Sequence, residues 1–178
     1  EIWPRDWSSD VCSSDLSADL IFLPKTQGPS KSPVLTVIDL YTRFAFIEVL
    51  ENKKGTQIIE GFENIIEESN RKPNYLWVDQ GTEFYNRTFK EYLEDNNIKI
   101  YSTYNEGKAV VIERFNRTLG EMIQRHMTST NTNNYINVLQ KLINEYNYKY
   151  HTSIKMTPHE ATQNTALCYD NLNGDNIN

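Results

Sequence analysis

Three acidic residues stand where solvated charge is hard to explain, and their type suits phosphoryl transfer. Asp79 directly follows the run Tyr75-Leu76-Trp77-Val78. It therefore lies at the C-terminal end of a strand expected to be central, where open α/β sheets place their ligands. Gln80-Gly81 then turns the chain sharply. Asp19 opens a first strand between Ala18 and Leu20-Ile21-Phe22-Leu23, and Glu113 interrupts Val110-Val111-Ile112 and Phe115, where an acid is normally avoided. Carboxylates are hard oxygen donors suited to Mg²⁺ or Mn²⁺. Two such ions, one carboxylate bridging them and others holding each from outside, can activate an attacking oxygen and stabilise a leaving one. Any one of these acids is as readily an edge or cap residue. Two strands and a helix that brought all three together would make a metal site. On a helical wheel Glu113 shares a face with Arg117, Gly120 and Gln124. At Gly120 another molecule could approach that face closely.

The elements that must position these acids follow from hydrophobic period and turn chemistry. Residues 19–24 and 34–41 read as two strands joined by a Gly/Pro/Ser-rich loop, with a third strand at 44–50. From Thr56 the period changes, with Ile58, Ile59, Phe62, Ile65 and Ile66 on one helical face. Residues 75–78 form a buried strand. Asn86 caps a short helix carrying Phe89 and Leu93, and 98–103 is a fifth strand. A longer helix has Ile112, Phe115, Leu119, Met122 and Ile123 on its buried face, and another carries Ile136, Leu139, Leu142, Ile143 and Tyr146. Thr157-Pro158-His159-Glu160 has the form of a capping box with proline at the first helical position. Three strands in series, then alternating helix and strand, give an α/β fold with a mixed five-stranded sheet flanked by helices. That order is compatible with a ribonuclease-H-like fold, among other candidates.

With 178 residues the chain is one domain's worth. Its net charge of −6 argues mildly against nucleic acid as a partner. Most of the acidic excess, however, falls in residues 1–16 and 164–178, leaving a near-neutral middle that can meet DNA through metal ions and local cations. Residues 1–16 look foreign: Ser8-Ser9-Asp10 recurs as Ser13-Ser14-Asp15, with no hydrophobic period. They are set aside as a suspect leader, residues 17–163 are taken as the core, and the Asn/Asp-rich 164–178 is expected to be a disordered tail. No membrane span or signal peptide is expected. Cys12 and Cys168 are far apart in sequence and give no disulfide framework, so an intracellular location is the expectation.

The motifs then become specific. Trp77-Val78-Asp79-Gln80-Gly81-Thr82-Glu83-Phe84 resembles the second-aspartate motif of retroviral and transposon integrases. Residues 104–119, from Tyr104-Asn105-Glu106-Gly107-Lys108 through Glu113-Arg114-Phe115-Asn116-Arg117, resemble their mobile loop and glutamate-bearing helix. Ala18-Asp19-Leu20-Ile21 with Leu35-Thr36-Val37-Ile38-Asp39 is similar to the first-aspartate strand and its hairpin partner. Tyr146-Asn147, His151, Ser153 and Thr157-Pro158 resemble the closing signature. The resemblance covers roughly residues 17–163 and is nearest to integrases of Polinton/Maverick transposons.

The resemblance implies a DDE-type integrase core: Asp19, Asp79 and Glu113 as catalytic metal ligands for Mg²⁺, with Mn²⁺ as substitute. It implies Tyr104, Lys108, Asn116 and Arg117 as DNA contacts. Element-end and target DNA would be the partners, within a homo-oligomer built on a core dimer. The nucleus would be its compartment in a eukaryote. A water would cut the element's end, and the freed 3′-hydroxyl would attack target DNA. The chain departs from the pattern in two places. The Asp79–Glu113 interval is slightly short, and the aromatic residue expected before Asp19 is missing. Asp39 competes for the role of first acid, with Asp19 preferred. Neither a His/Cys zinc set nor a further DNA-binding barrel is legible, so a bare core or fragment is expected.

Among other residues, His126, His151 and His159 lack ligand spacing, and His151 reads as structural. Tyr146, Tyr148 and Tyr150 read as core and rim of a helix rather than a base-stacking platform. No nucleophile stands beside a base, so covalent catalysis has no support. Two rival readings are a decayed or domesticated core that binds nucleic acid or protein without catalysis, and a nuclease on the same fold that never joins DNA.

Overall fold

The computed structural model describes residues 15–23, 32–70, 72–79, 81–102, 106–132 and 135–173. The sheet contains β1 (Asp15–Phe22), β2 (Pro33–Asp39), β3 (Ala45–Val49), β4 (Tyr75–Val78) and β5 (Lys99–Ser102), in the order β3-β2-β1-β4-β5. β1, β2 and β3 form an antiparallel meander, while β4 and β5 add in parallel to the other edge of β1. The expected mixed five-stranded α/β sheet is therefore present. β2 is buried along its whole length, which is why its sequence reads as an unbroken apolar run rather than an alternation.

Each face of the sheet has its own core. Leu16, Ala18, Leu35, Val37, Leu76 and Val78 meet α1 (Gly55–Ser69) and α2 (Arg87–Asp95) through Ile58, Phe62, Ile65, Phe89 and Leu93. On the other face Ile21, Leu23, Val34, Ile38, Ala45 and Ile47 meet α3 (Glu106–Thr130) and α4 (Leu139–Asn147). Their helical partners are Ile112, Phe115, Leu119, Ile123, Leu139, Leu142 and Ile143. Side chains alternate across a strand, so β1 sends Leu16 and Ala18 to one core and Ser17, Asp19 and Ile21 to the other side.

The closing signature is structural. Asn147 is buried, its Oδ1 accepting from the Ala45 N–H at 2.9 Å and its Nδ2 donating to the Ala45 carbonyl at 2.9 Å. One amide thus supplies edge strand β3 with what a neighbouring strand would give. Tyr146 is buried while Tyr148 and Tyr150 are exposed, the core-and-rim pattern expected. Thr157 caps α5 (Pro158–Gln163) with a complete capping box: its Oγ1 accepts from Glu160 N–H at 3.1 Å and its own N–H donates to Glu160 Oε2 at 2.8 Å.

Two boundaries differ from the sequence reading. β1 begins at Asp15, so Asp15 and Leu16, grouped with the leader, are paired in the sheet, and Leu16 is buried. The rest of that leader lies outside the described residues. Within the expected disordered tail, Thr165–Asn173 forms α6, and residues 174–178 lie outside the described residues. Its Cys168 is fully buried with Ile154, Met156 and Ala161, and Tyr169 stacks on Tyr41. Because Cys168 is its one buried residue, α6 shows no apolar stripe in the sequence. Burial also pushes the Cys168 thiol up to about 11, far from a reactive thiolate.

Asn147→Ala would leave both polar groups of Ala45 buried without partners, at about 1–3 kcal/mol each. A loss of about 2–4 kcal/mol is expected in denaturant unfolding, and a near-neutral result would discard the amide's role as a strand surrogate. His151 packs edge-on against Tyr146 at 4.6 Å, and burial lowers its pKa. A histidine held neutral in the fold but charged in the unfolded chain stabilises above its ordinary pKa of about 6.5 and costs stability as pH falls. His151→Phe should therefore flatten the decline in Tm between about pH 7.5 and about pH 5.5, whereas an unchanged slope would place the titrating group elsewhere.

Candidate active site

The parallel register of β1 with β4 ends on the pair Ala18↔Val78. The next residue on each strand is an aspartate, so Asp19 and Asp79 leave adjacent backbones side by side. Both have the parity that points away from the α1 core. β1 continues to Phe22 beside β2, but β4 stops, and Asp79 Oδ1 accepts the Gly81 N–H at 2.9 Å to turn the chain off the sheet. Asp19 is half-buried and its two oxygens are both engaged. Oδ1 accepts from the Leu20 N–H at 2.7 Å, and Oδ2 accepts from Asn116 Nδ2 at 2.7 Å.

Asn116 thereby ties α3 to β1, and Glu113 stands one turn before it. Phe115, between them, is anchored in the core. Burial pushes the Asp19 carboxyl above its ordinary range, while the Leu20 and Asn116 donors push it down. The charges of Asp79 and Glu113 push it up again, which places both within electrostatic reach. The three do not close on a point. Among the described residues no three His, Cys, Asp or Glu side chains lie close enough together to hold one ion. Asp79 and Glu113 are exposed, and Asp19 is half-buried beside them.

Asp39 is elsewhere. It pairs with Leu16, three residues from Asp19 and of opposite parity, and its Oδ1 accepts the Tyr41 and Thr42 N–H groups in a buried turn. Arg117 is exposed on α3, as expected for a group meeting a large ligand. Asn116, expected to face DNA, directs its Nδ2 to Asp19, while its Oδ1 is buried without a partner among the described residues. Tyr104 and the side chain of Lys108 lie outside the described residues.

The sequence reading missed Glu83. A Cβ built on Gly81 would lie 2.8 Å from both Asp79 Oδ1 and Glu83 Oε2, so bare glycine keeps open a gap between two carboxylates. Lys53 reaches Glu83 at 3.6 Å. The signal was the alternation Asp79, Gly81, Glu83, two acids flanking the one residue that offers no side chain. Carboxylate oxygens around a bare backbone fit a hard divalent cation in donor chemistry.

The integrase core domain family matches residues 13–105. The chain belongs to that family. A putative transposon-derived protein of Caenorhabditis elegans is 34% identical over 125 residues, covering 70% of this chain and 44% of that protein. The chain thus spans less than half the length of this relative. The HTLV-2 integrase catalytic core domain, solved in complex with magnesium, superposes with a TM-score of 0.69 at 15% identity over 83% of this chain and 95% of that one. The BIV integrase catalytic core domain gives 0.70 at 15% identity, covering 86% and 95%. At such identities the likeness is one of fold, and the fold of this integrase core is ribonuclease-H-like.

Gly120 lies mid-helix on α3, and a Cβ there would meet nothing within 4 Å. With no internal clash, Gly120→Ala should raise stability by roughly 0.5–1 kcal/mol through helix propensity. A lower Tm in thermal melts would reveal an internal contact on that face and remove it as open ground for a ligand.

Proposed function

We propose that this integrase core is a metal-dependent polynucleotidyl transferase that cuts DNA ends and joins the 3′-hydroxyl to target DNA. The observation that carries this reading is the pairing of Asp19 with Asp79 at the point where β4 leaves the sheet, with the Glu113 helix tied to the same carboxylate. Asp19, Asp79 and Glu113 would hold Mg²⁺, or Mn²⁺ in its place. When bound, such ions supply activation of the attacking oxygen and neutralisation of charge on the leaving one. The chain's own residues set the geometry. Asn116 and Leu20 fix the Asp19 carboxylate, and the Gly81 turn aims Asp79. Arg117 offers a cation on the Glu113 face, with Lys108 and Tyr104 supplying further DNA contacts. Water and then a 3′-hydroxyl would attack phosphorus in line, with no covalent enzyme intermediate. A homo-oligomer with a core dimer would present two such sites to element ends and target, in the nucleus of a eukaryotic host. No helix among the described residues is long and apolar enough to cross a membrane.

A second reading, a domesticated core that binds without cutting, is favoured by one observation: the three acids do not converge on a common ion position. Glu113→Gln and Asp79→Asn separate the two readings. In the parent, millimolar Mn²⁺ should raise Tm, by up to about 2.7 kcal/mol of stabilisation at a hundredfold excess over Kd. Both variants should stay folded, lose that shift, and lose nicking and strand joining together. Joining at near the parent rate by Glu113→Gln would sink the catalytic assignment. A folded parent with no metal shift and no nicking would establish the non-catalytic reading.

A further inference from the structure

On the face of the sheet that carries Asp19 and Asp79, α3 reaches β4 but builds its apolar core further along the sheet. The apolar contacts of α3 and α4 are with β1, β2 and β3, and neither β4 nor β5 contributes to that core. On β4, Leu76 and Val78 point into the α1 core, so Tyr75 and Trp77 share the face and parity of Asp79. β5 is the sheet edge, with Ile100 packed toward the α1 core, so Lys99 and Tyr101 also lie on the acid-bearing face. Register pairs Tyr75 with Lys99 and Trp77 with Tyr101. The Trp77 and Tyr101 rings stack at 4.9 Å with 21° between planes, and Tyr75 stands 5.7 Å from Tyr101. Lys99 Nζ lies 6.0 Å over the Tyr75 ring. Tyr101 is 41% exposed on an edge strand, where large aromatic surface is ordinarily avoided.

We propose that Tyr75, Trp77 and Tyr101 form a stacking platform for an unpaired nucleobase of the DNA strand whose phosphodiester lies at Asp79. The inference rests on the DNA-processing reading above. Its warrant is the conjunction of the stacked Trp77–Tyr101 pair with Tyr75 tilted at 47° beside it, an adjacent lysine matched to phosphate, and continuity with the acids along a single strand. Trp77 and Asp79 are two residues apart, roughly 7 Å along β4, so a base laid on the platform belongs to a nucleotide next to the one being processed. Stacking on aromatic faces tolerates any base and requires the base to leave its duplex, which suits a frayed or cut DNA end. Trp77 supports the stack from the inner strand, and Tyr101 presents the accessible ring.

The test uses the whole chain in EDTA, so that binding is read without cleavage. Its probes are short duplexes of one sequence, either blunt or with a three-nucleotide overhang carrying 2-aminopurine. The parent should bind the overhang roughly tenfold more tightly than the blunt duplex and quench the 2-aminopurine. Tyr101→Phe should keep both properties. Tyr101→Ala and Tyr101→Leu should lose both while retaining the parent Tm and blunt-duplex affinity. The proposal is overturned if Tyr101→Ala keeps the overhang preference, or if Tyr101→Leu keeps it, which would make the patch merely apolar. It is also overturned if Tyr101→Ala changes only the sedimentation of the protein, which would assign the surface to a second copy. Overhang preference in a chain that never nicks would sink the catalytic reading and leave the platform standing. Nicking without that preference would do the reverse.

Discussion

Two carboxylates on neighbouring strands repel, and a fold keeps them together only if the surrounding structure leaves them no alternative. Here the constraint is the parallel pairing of β1 with β4, whose last matched pair, Ala18 and Val78, is immediately followed by Asp19 and Asp79. Ala18 and Val78 are buried in the α1 core, so slipping β4 by one residue against β1 would turn Leu76 and Val78 out of it. The apolar face therefore holds the polar one in place. The cost of burying Asp19 is offset by two short donors, one from its own strand and one from α3. Without them burial and the neighbouring acids would push the Asp19 carboxyl still higher.

The same asymmetry that positions the acids also distributes open surface. The α1/α2 layer packs on residues from all five strands, from Phe46 on β3 to Ile100 on β5. The apolar core under α3 and α4 takes its sheet residues from β1, β2 and β3. On the same face the last two strands carry aromatic side chains, next to the point where β4 ends.

The conserved-looking close of the chain serves the opposite edge. Asn147 finishes the backbone of β3, Thr157 and Glu160 start α5, and α6 buries Cys168 against Tyr41. None of these groups approaches the acids along the sheet. Residues that read as part of a functional signature thus act by sealing the fold, away from Asp19 and Asp79.

Local sequence was enough for every element whose burial has a period: the β1–β3 series, α1, β4, the α2 cap at Asn86, the buried stripe of α3 and the Thr157 capping box. It also singled out Asp19, Asp79 and Glu113, because an acid inside an apolar run stands out without any three-dimensional information. α6 stayed hidden, since burying one residue in nine leaves no stripe to read. Asn116 looked like a DNA contact by its place one turn from Glu113, and only packing turned its amide toward Asp19. Glu83 and the aromatic face of β4–β5 emerged for the same reason. Their neighbours are set by strand register and by where a helix layer ends, quantities that depend on residues far apart in the chain. What the sequence determined alone was which residues are out of place in water or in a core. Which of them meet was decided by the sheet, because pairing between distant strands is a property of the whole fold and of no segment within it.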